Sequence, residues 1–242
     1  MERKFLRSLF YKVEKDVCIK NCTAGKYRRS EKCQKKCQQT GDSRETVRRK
    51  RRERTKENLE FYECIRDIVS HPAVLEMKKY YQHCDTDCYE HCLDVAYNNY
   101  KICKKLGLDA RSAARGGMLH DLFLYDWREH SKKTGDRLHA ITHPITAYRN
   151  ACKYFHLNKE EKEVITKHMW PVSVIPPRYP ETYVICLTDK YCGSREIMDH
   201  YAKVLQNKYW GKPFAWFLKR IFEKVPRSEL LQEMLPELVS ME

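Results

Sequence analysis

No uninterrupted apolar run reaches the roughly 18 to 20 residues that a membrane-spanning helix requires, so we expect no transmembrane segment. An apolar signal-peptide core is missing as well, because Arg7, Lys12 and Glu14 interrupt the N-terminal stretch. Runs of alternating β-branched residues are scarce, which disfavours a β-rich fold. These absences predict a cytoplasmic protein built from helices.

Positive charge is concentrated at the N-terminal end of the 242 residues, whose formal net charge is +14. Residues 1–58 contain 20 Lys and Arg and 8 Asp and Glu, a net charge of +12, whereas residues 59–242 carry only +2. Such an arm would attract a polyanion, namely nucleic acid, an anionic membrane surface or an acidic protein. The alternative is a charge-rich helix that is simply solvated.

Four of the twelve cysteines form two pairs with i,i+4 spacing: Cys18 with Cys22, and Cys33 with Cys37. The segment between the pairs contains Gly25 and can turn, so a helical hairpin would bring the four sulfur atoms together. A structural zinc ion is one interpretation, although the CxxC spacing of zinc ribbons is absent. Without a signal peptide we expect reduced cysteines, and buried free thiols or disulfides are the alternatives.

Apolar residues three and four apart recur along most of the chain, which predicts the all-α class. A glycine-free stretch from Ser43 to about Met77 predicts a long helix that His71 and Pro72 break. Further helices are predicted at Asp87–Leu106, Asp109–Tyr125, Pro144–Phe155, Asn158–Met169 and Pro180–Tyr191.

Local signals support the starts of these helices. Asp109 can cap its helix, and Asn158 with Glu161 resembles a capping box. Pro144 and Pro180 suit a first helical turn. Cys84, Cys88 and Cys92 lie four residues apart, which predicts one helical stripe of small core residues. We divide the chain into a basic cysteine-containing extension (1–58), a helical bundle (59–205) and a C-terminal helical tail (206–242).

Histidine and aspartate recur at helix positions where an apolar residue is expected. One buried histidine is usually a satisfied core residue, but five such positions on five predicted helices favour a metal site. Neutral imidazoles and carboxylates suit Mn²⁺, Fe²⁺ or Zn²⁺, whereas an all-oxygen set would favour Mg²⁺ or Ca²⁺. The residues concerned are His91, His120, Asp121, His143, His168 and Asp189.

The order H…HD…H…H…D resembles the HD-domain superfamily of metal-dependent phosphohydrolases, over roughly residues 79–195. The two additional histidines are similar to those of its two-metal branch, which includes diadenosine tetraphosphate hydrolases, cyclic dinucleotide phosphodiesterases and a few mixed-valent di-iron oxygenases. The resemblance implies an HD-type helical bundle holding two divalent transition metals, among Fe, Mn, Ni and Zn. It also implies that Asp121 is a catalytic bridging ligand, that one site is completed by His91, His120 and Asp189, and that the second is completed by His143 and His168.

The chain departs from the family at two motifs. Many members continue HD as HDxGK, but Leu122 to Tyr125 contain no lysine for phosphate. The GYP signature is also absent, which makes cyclic dinucleotide hydrolysis a poorer fit. The aromatic residues of "LYDW" can instead line a pocket for a flat group, or pack at a helix end.

Other predicted site residues depend on spacing alone. Asp87 lies four residues before His91 and could orient its imidazole from behind, and His83 lies near the same ligand in sequence. Each of these residues has an ordinary surface or packing role as its alternative. The candidate substrate contacts are Lys190, Arg149, Arg115 and His139.

The function predicted from the sequence is a two-metal phosphohydrolase acting on a nucleotide or a related small-molecule phosphate ester, for example a dinucleoside polyphosphate. A di-iron oxygenase is an alternative, because the same ligands can support O₂ activation when both metals are iron. A nucleic-acid-binding or regulatory protein with a vestigial metal centre is another alternative. The basic arm favours it, while the complete ligand motif opposes it.

Overall fold

The computed structural model describes residues 31–135 and 138–208. The chain divides into two compact units, residues 1–56 and residues 57–242. The three-part division predicted from the sequence stays a prediction, and residues 209–242 of the predicted tail lie outside the described residues. No helix within the described ranges combines the length and the apolar character that crossing a membrane requires.

The described residues are mostly helical, so the predicted all-α class is confirmed. Two short strands form an antiparallel hairpin in which Tyr81 lies opposite Asp87. The elements in chain order are α1 (Glu31–Val69), α2 (Pro72–Leu75), a 3₁₀ turn (Glu76–Lys79), β1 (Tyr81–His83), β2 (Thr86–Asp87), α3 (Cys88–Leu106), α4 (Ala110–Leu119), α5 (Trp127–Thr134), α6 (His139–Tyr154), α7 (Lys159–Lys167) and α8 (Pro180–Lys208).

Helix starts follow the local signals in the sequence. The side chain of Asp109 accepts a hydrogen bond from the backbone N–H of Ser112, at the start of α4. At the start of α7, Asn158 and Glu161 each accept from the other's backbone N–H, which confirms the predicted capping box. The predicted break at His71 and Pro72 is confirmed too, because α1 ends at Val69 and α2 begins at Pro72.

Three predicted helix boundaries are wrong. The helix after Asp109 stops at Leu119 rather than Tyr125, and the chain turns there while Asn150 on α6 binds the carbonyl of Leu122. The helix assigned to Pro144–Phe155 already begins at His139, so Pro144 lies inside α6 and not in its first turn. The helix from Pro180 continues past Tyr191 to Lys208.

The predicted cysteine stripe is also wrong in part. Cys84 lies in the hairpin turn with a positive φ of 49°, so only Cys88 and Cys92 belong to α3. The eight cysteines described between Cys64 and Cys192 are free thiols. Of the predicted zinc-binding residues, Cys18 and Cys22 lie outside the described residues, and Cys33 and Cys37 lie where only the backbone is described.

The core lies where α3 and α4 pack closely against each other. Fully buried side chains from α1, α3 and α4, such as Phe61, Leu93 and Met118, belong to one apolar cluster. The approach requires glycine in α4, since a Cβ on Gly117 would lie 2.8 Å from the Cα of Ala96. This contact places the end of α4 against α3, and His120 and Asp121 come directly after that end.

Candidate metal centre

The six predicted ligands come together in the structure from five segments of the chain. His91 lies in the first turns of α3, His143 lies within α6, and Asp189 lies within α8. His120 and Asp121 follow the end of α4, and His168 follows the end of α7, so these three residues lie at helix ends and not on helix faces as predicted. All four histidines and Asp121 are buried.

The donor atoms of these residues form two adjoining groups. In the first group, Asp189 Oδ1 lies 3.1 Å from His91 Nε2 and 3.7 Å from His120 Nε2. In the second group, Asp121 Oδ1 lies 3.2 Å from His143 Nε2 and 3.6 Å from His168 Nε2. His120 Nε2 and Asp121 Oδ2, 3.5 Å apart, join the two groups.

Every histidine of the centre directs Nε2 inward, because its Nδ1 already has a partner. Nδ1 lies 2.7 Å from the carbonyl of Gly117 in His120, 2.7 Å from that of His139 in His143, and 2.9 Å from that of Ile165 in His168. A carbonyl can only accept, so Nδ1 carries the proton in these three rings. In the neutral form of each ring, Nε2 therefore has the lone pair that a metal ion needs.

Two residues that sequence reasoning missed hold the centre from outside. Gln82 on β1 donates its amide N–H to Asp121 Oδ2 at 2.5 Å. Glu196 on α8 accepts from His91 Nδ1 at 2.9 Å. Glu196 lies seven residues after Asp189, which puts both carboxylates on one helix face and is a signal the sequence did contain.

The carboxylates and imidazoles shift each other's pKa values strongly. Burial opposes charge on His91, but Glu196 and Asp189 outweigh it and hold the pKa of His91 well above its usual value. Burial likewise opposes charge on Asp121, yet the neighbouring His120 and His143 hold the pKa of Asp121 far below its usual range. Burial and the charge on His120 lower the pKa of His168 to about 3. Ionised aspartates and a neutral His168 are the forms that bind cations.

The donor set fits divalent transition metals. Three groups of donors can each hold an ion: His91, His120 and Asp189; His120, Asp121 and His168; and His83, His91 and Glu196. With bonds of about 2.0 to 2.2 Å, neighbouring ligands of one ion lie about 2.8 to 3.6 Å apart, close to the separations found here. His120 Nε2 and Asp121 Oδ1 are buried without a hydrogen-bond partner, which is costly unless a cation binds them.

The structure corrects two predicted roles. Asp87 does not orient His91, because its carboxylate accepts from the backbone N–H of Glu90 at the start of α3. Arg115 is not a substrate contact, because its buried guanidinium pairs with Glu161 at 2.8 Å and with Asp67 at 2.5 Å. Both side chains are held by structural bonds instead.

The other predicted contacts lie at different distances from the centre. His83 packs edge-on against His91, with ring centroids 5.3 Å apart. Lys190, on the exposed side of α8, reaches the carbonyl of His168 at 3.4 Å. Arg149 lies on an exposed position of α6. Substrate binding by Lys190 and Arg149 stays a prediction.

Aromatic rings extend from the second donor group. His139 stacks on His143 with centroids 4.7 Å apart, and Trp127 stacks on His139 at 5.8 Å. Phe123 packs edge-on against His139, and the hydroxyl of Tyr125 lies 3.2 Å from its Nδ1. His139 is therefore part of a half-buried aromatic wall beside the centre, at the start of α6.

A family model for the HD domain matches residues 88–192. The chain contains an HD domain. The matched range runs from before His91 to after Asp189, so it includes all six convergent residues, and it assigns this region to a family of metal-dependent phosphohydrolases. Gln82, His83 and Glu196 lie outside it. No curated protein and no solved structure matches the chain. The two-metal branch within the superfamily stays a prediction.

Proposed function

We propose that the HD domain binds two divalent transition metals and hydrolyses a phosphoester or phosphoanhydride bond of a nucleotide or a related compound. A dinucleoside polyphosphate is one substrate of this class. The single observation that carries the proposal is the convergence of four inward-facing imidazoles and two carboxylates from five segments of the chain.

The arrangement of Asp121 supports two ions rather than one. Its Oδ1 faces His143 and His168, while its Oδ2 lies on the side of His120. One carboxylate therefore faces both donor groups. Bound divalent ions would supply Lewis acidity toward a phosphoryl oxygen and would activate water as the nucleophile.

The protein itself contributes orientation and shielding. Backbone carbonyls hold the rings of His120, His143 and His168 by their Nδ1–H groups, so these rings need little reorganisation to bind cations. Phe123 and His139 pack against His143 and exclude water from one side of that ring. The exposed Lys190 is suited to contact a substrate phosphate as a point charge.

The proposal is tested by loading the full-length metal-free protein with Mn²⁺, Fe²⁺ or Ni²⁺ and measuring both bound metal and phosphate release from a set of nucleotides. We expect two ions per chain and metal-dependent phosphate release. Binding of a single ion would contradict the two-metal proposal. Turnover that requires iron and O₂ but releases no phosphate would instead favour the di-iron oxygenase.

We also propose that residues 1–58 bind a polyanion. The support is their net charge of +12 and, within the described part of α1, the exposed side chains of Arg49, Arg52 and Arg54. Nucleic acid and anionic membranes share the chemistry that such a surface attracts.

A further inference from the structure

The imidazole of His91 differs from those of the other three histidines in the hydrogen-bond acceptor at its Nδ1. His120, His143 and His168 each donate Nδ1–H to a neutral backbone carbonyl three or four residues earlier in the chain. His91 instead faces the carboxylate of Glu196, whose oxygens lie 2.9 and 3.1 Å from its Nδ1. A charged acceptor both orients a ligand imidazole and makes it a stronger electron donor.

One face of α8 holds this ring at both nitrogen atoms. Asp189 lies at Nε2, at 3.1 Å, and Glu196 lies two turns later at Nδ1. Gly193 lies between them, where a Cβ would come within 2.8 Å of His83 Nε2. The glycine therefore leaves room for His83 to pack edge-on against the His91 ring.

We propose that Glu196 is a positioning residue that makes the His91–Asp189 group the tighter of the two metal sites. Glu196 is buried, and both Glu196 and His83 lie outside the region matched by the family model. The two residues that contact the His91 ring from outside the matched region thus come from the part of α8 after residue 192 and from β1 of the hairpin. This inference rests on the two-metal proposal above.

The test uses Glu196→Gln in the full-length protein, titrated with Mn²⁺ while free Mn²⁺ is followed by electron paramagnetic resonance. Glutamine keeps the size and an acceptor oxygen but removes the charge. We expect the tighter of the two binding steps to weaken by roughly 10- to 100-fold, as for other outer partners of ligand histidines, with the other step unchanged. The weakened step must be the one that His91→Ala removes.

Glu90→Gln is the matched control, since it removes the same charge from an exposed residue adjacent to His91. We expect both of its binding steps to stay as in the wild type. The unaffected His143–His168 step also serves as an internal control for folding, because a misfolded variant would lose both steps.

Two results would overturn the inference. Equal weakening of both steps would show that Glu196 only supports the fold, and two unchanged steps would show that its charge does not act on His91. Failure of the wild type to bind two ions is a different result, which contradicts the proposed function itself.

Discussion

The Nε2 atoms of His143 and His168 lie 2.9 Å apart. His168 is neutral at pH 7, because burial and the charge on His120 lower its pKa to about 3. Its Nδ1–H donates a hydrogen bond to the backbone carbonyl of Ile165. Its Nε2 therefore presents a lone pair to His143. Because Nδ1 of His143 donates to the carbonyl of His139, its Nε2 also presents a lone pair, and a cation bound by both nitrogen atoms would offset the repulsion between them.

Metal binding should release protons at neutral pH. Burial opposes charge on His91 and His120, but neighbouring carboxylates outweigh it and raise the pKa of both, which favours the protonated form of each ring in the metal-free protein. An ion can bind their Nε2 atoms only after displacing protons. We therefore expect Mn²⁺ affinity to rise with pH between about 6 and 8. An ordinary histidine loses its proton near the lower end of this interval, and a raised pKa moves that loss to higher pH.

Calorimetry in buffers of different ionisation enthalpy measures this release directly. A binding enthalpy independent of the buffer would contradict the protonated state of both rings. The raised pKa of His91 also affects the free energy of unfolding of the metal-free protein. Its stabilising contribution is present at low pH and is lost as the pH rises through that pKa, which is the opposite of acid denaturation.

Asp121→Asn should abolish binding of both ions. The substitution removes the charge that faces both donor groups. If the new amide nitrogen faces Gln82, two N–H donors oppose each other; if it faces His143 and His168, it occupies the lone pairs that a metal ion needs. We expect phosphate release to fall by far more than the roughly 10- to 100-fold typical of outer partners.

Asp87→Asn is the control for this substitution, because asparagine caps a helix about as well as aspartate does. Its metal occupancy and phosphate release should match those of the wild type. If Asp121→Asn retains full occupancy of both ions and normal turnover, Asp121 binds neither ion and the two-metal mechanism is wrong.

The sequence predicts best those features whose partners lie close along the chain. Asn158 finds its partner three residues later at Glu161, so the capping box could be recognised from spacing. The end of α4 at Leu119 could not, because it depends on the contact of Gly117 with Ala96 on another helix and on Asn150, which holds Leu122.

In the candidate centre, too, the sequence does not reveal contacts between residues that lie far apart along the chain. The ligands were recognisable because charged or polar residues in apolar helices are costly without partners. Their supports were not, since Glu196 lies 105 residues from His91 and Gln82 lies 39 residues from Asp121. Arg115 was assigned to substrate for the same reason, as its partner Glu161 is 46 residues away.

Arg115→Met should destabilise the fold without removing the metal centre. The change leaves the carboxylate of Glu161 buried without its charge partner, and breaking a buried pair in this way costs about 3 to 5 kcal/mol. Urea unfolding measures the loss of free energy. Arg149→Met, at an exposed position, should stay within about 0.5 kcal/mol of the wild type. Equal stability of the two variants would contradict the structural role of Arg115.

Polyanion binding by residues 1–58 should depend steeply on salt. Each phosphate contact releases counterions, so affinity for duplex DNA should fall by orders of magnitude between about 50 and 200 mM salt if several contacts form. Replacing the exposed Arg49, Arg52 and Arg54 by Gln should reduce the slope of log affinity against log salt by up to about 0.9 per contacting residue.

The matched control for this experiment replaces three exposed lysines of the second unit, Lys78, Lys79 and Lys105, by Gln. It removes the same total charge from a nearly neutral part of the chain, so its salt slope should equal that of the wild type. Binding that persists at high salt, or an equal change in both triple variants, would contradict a specific role of the arm. Tight binding to anionic vesicles but not to DNA would identify the polyanion as a membrane surface.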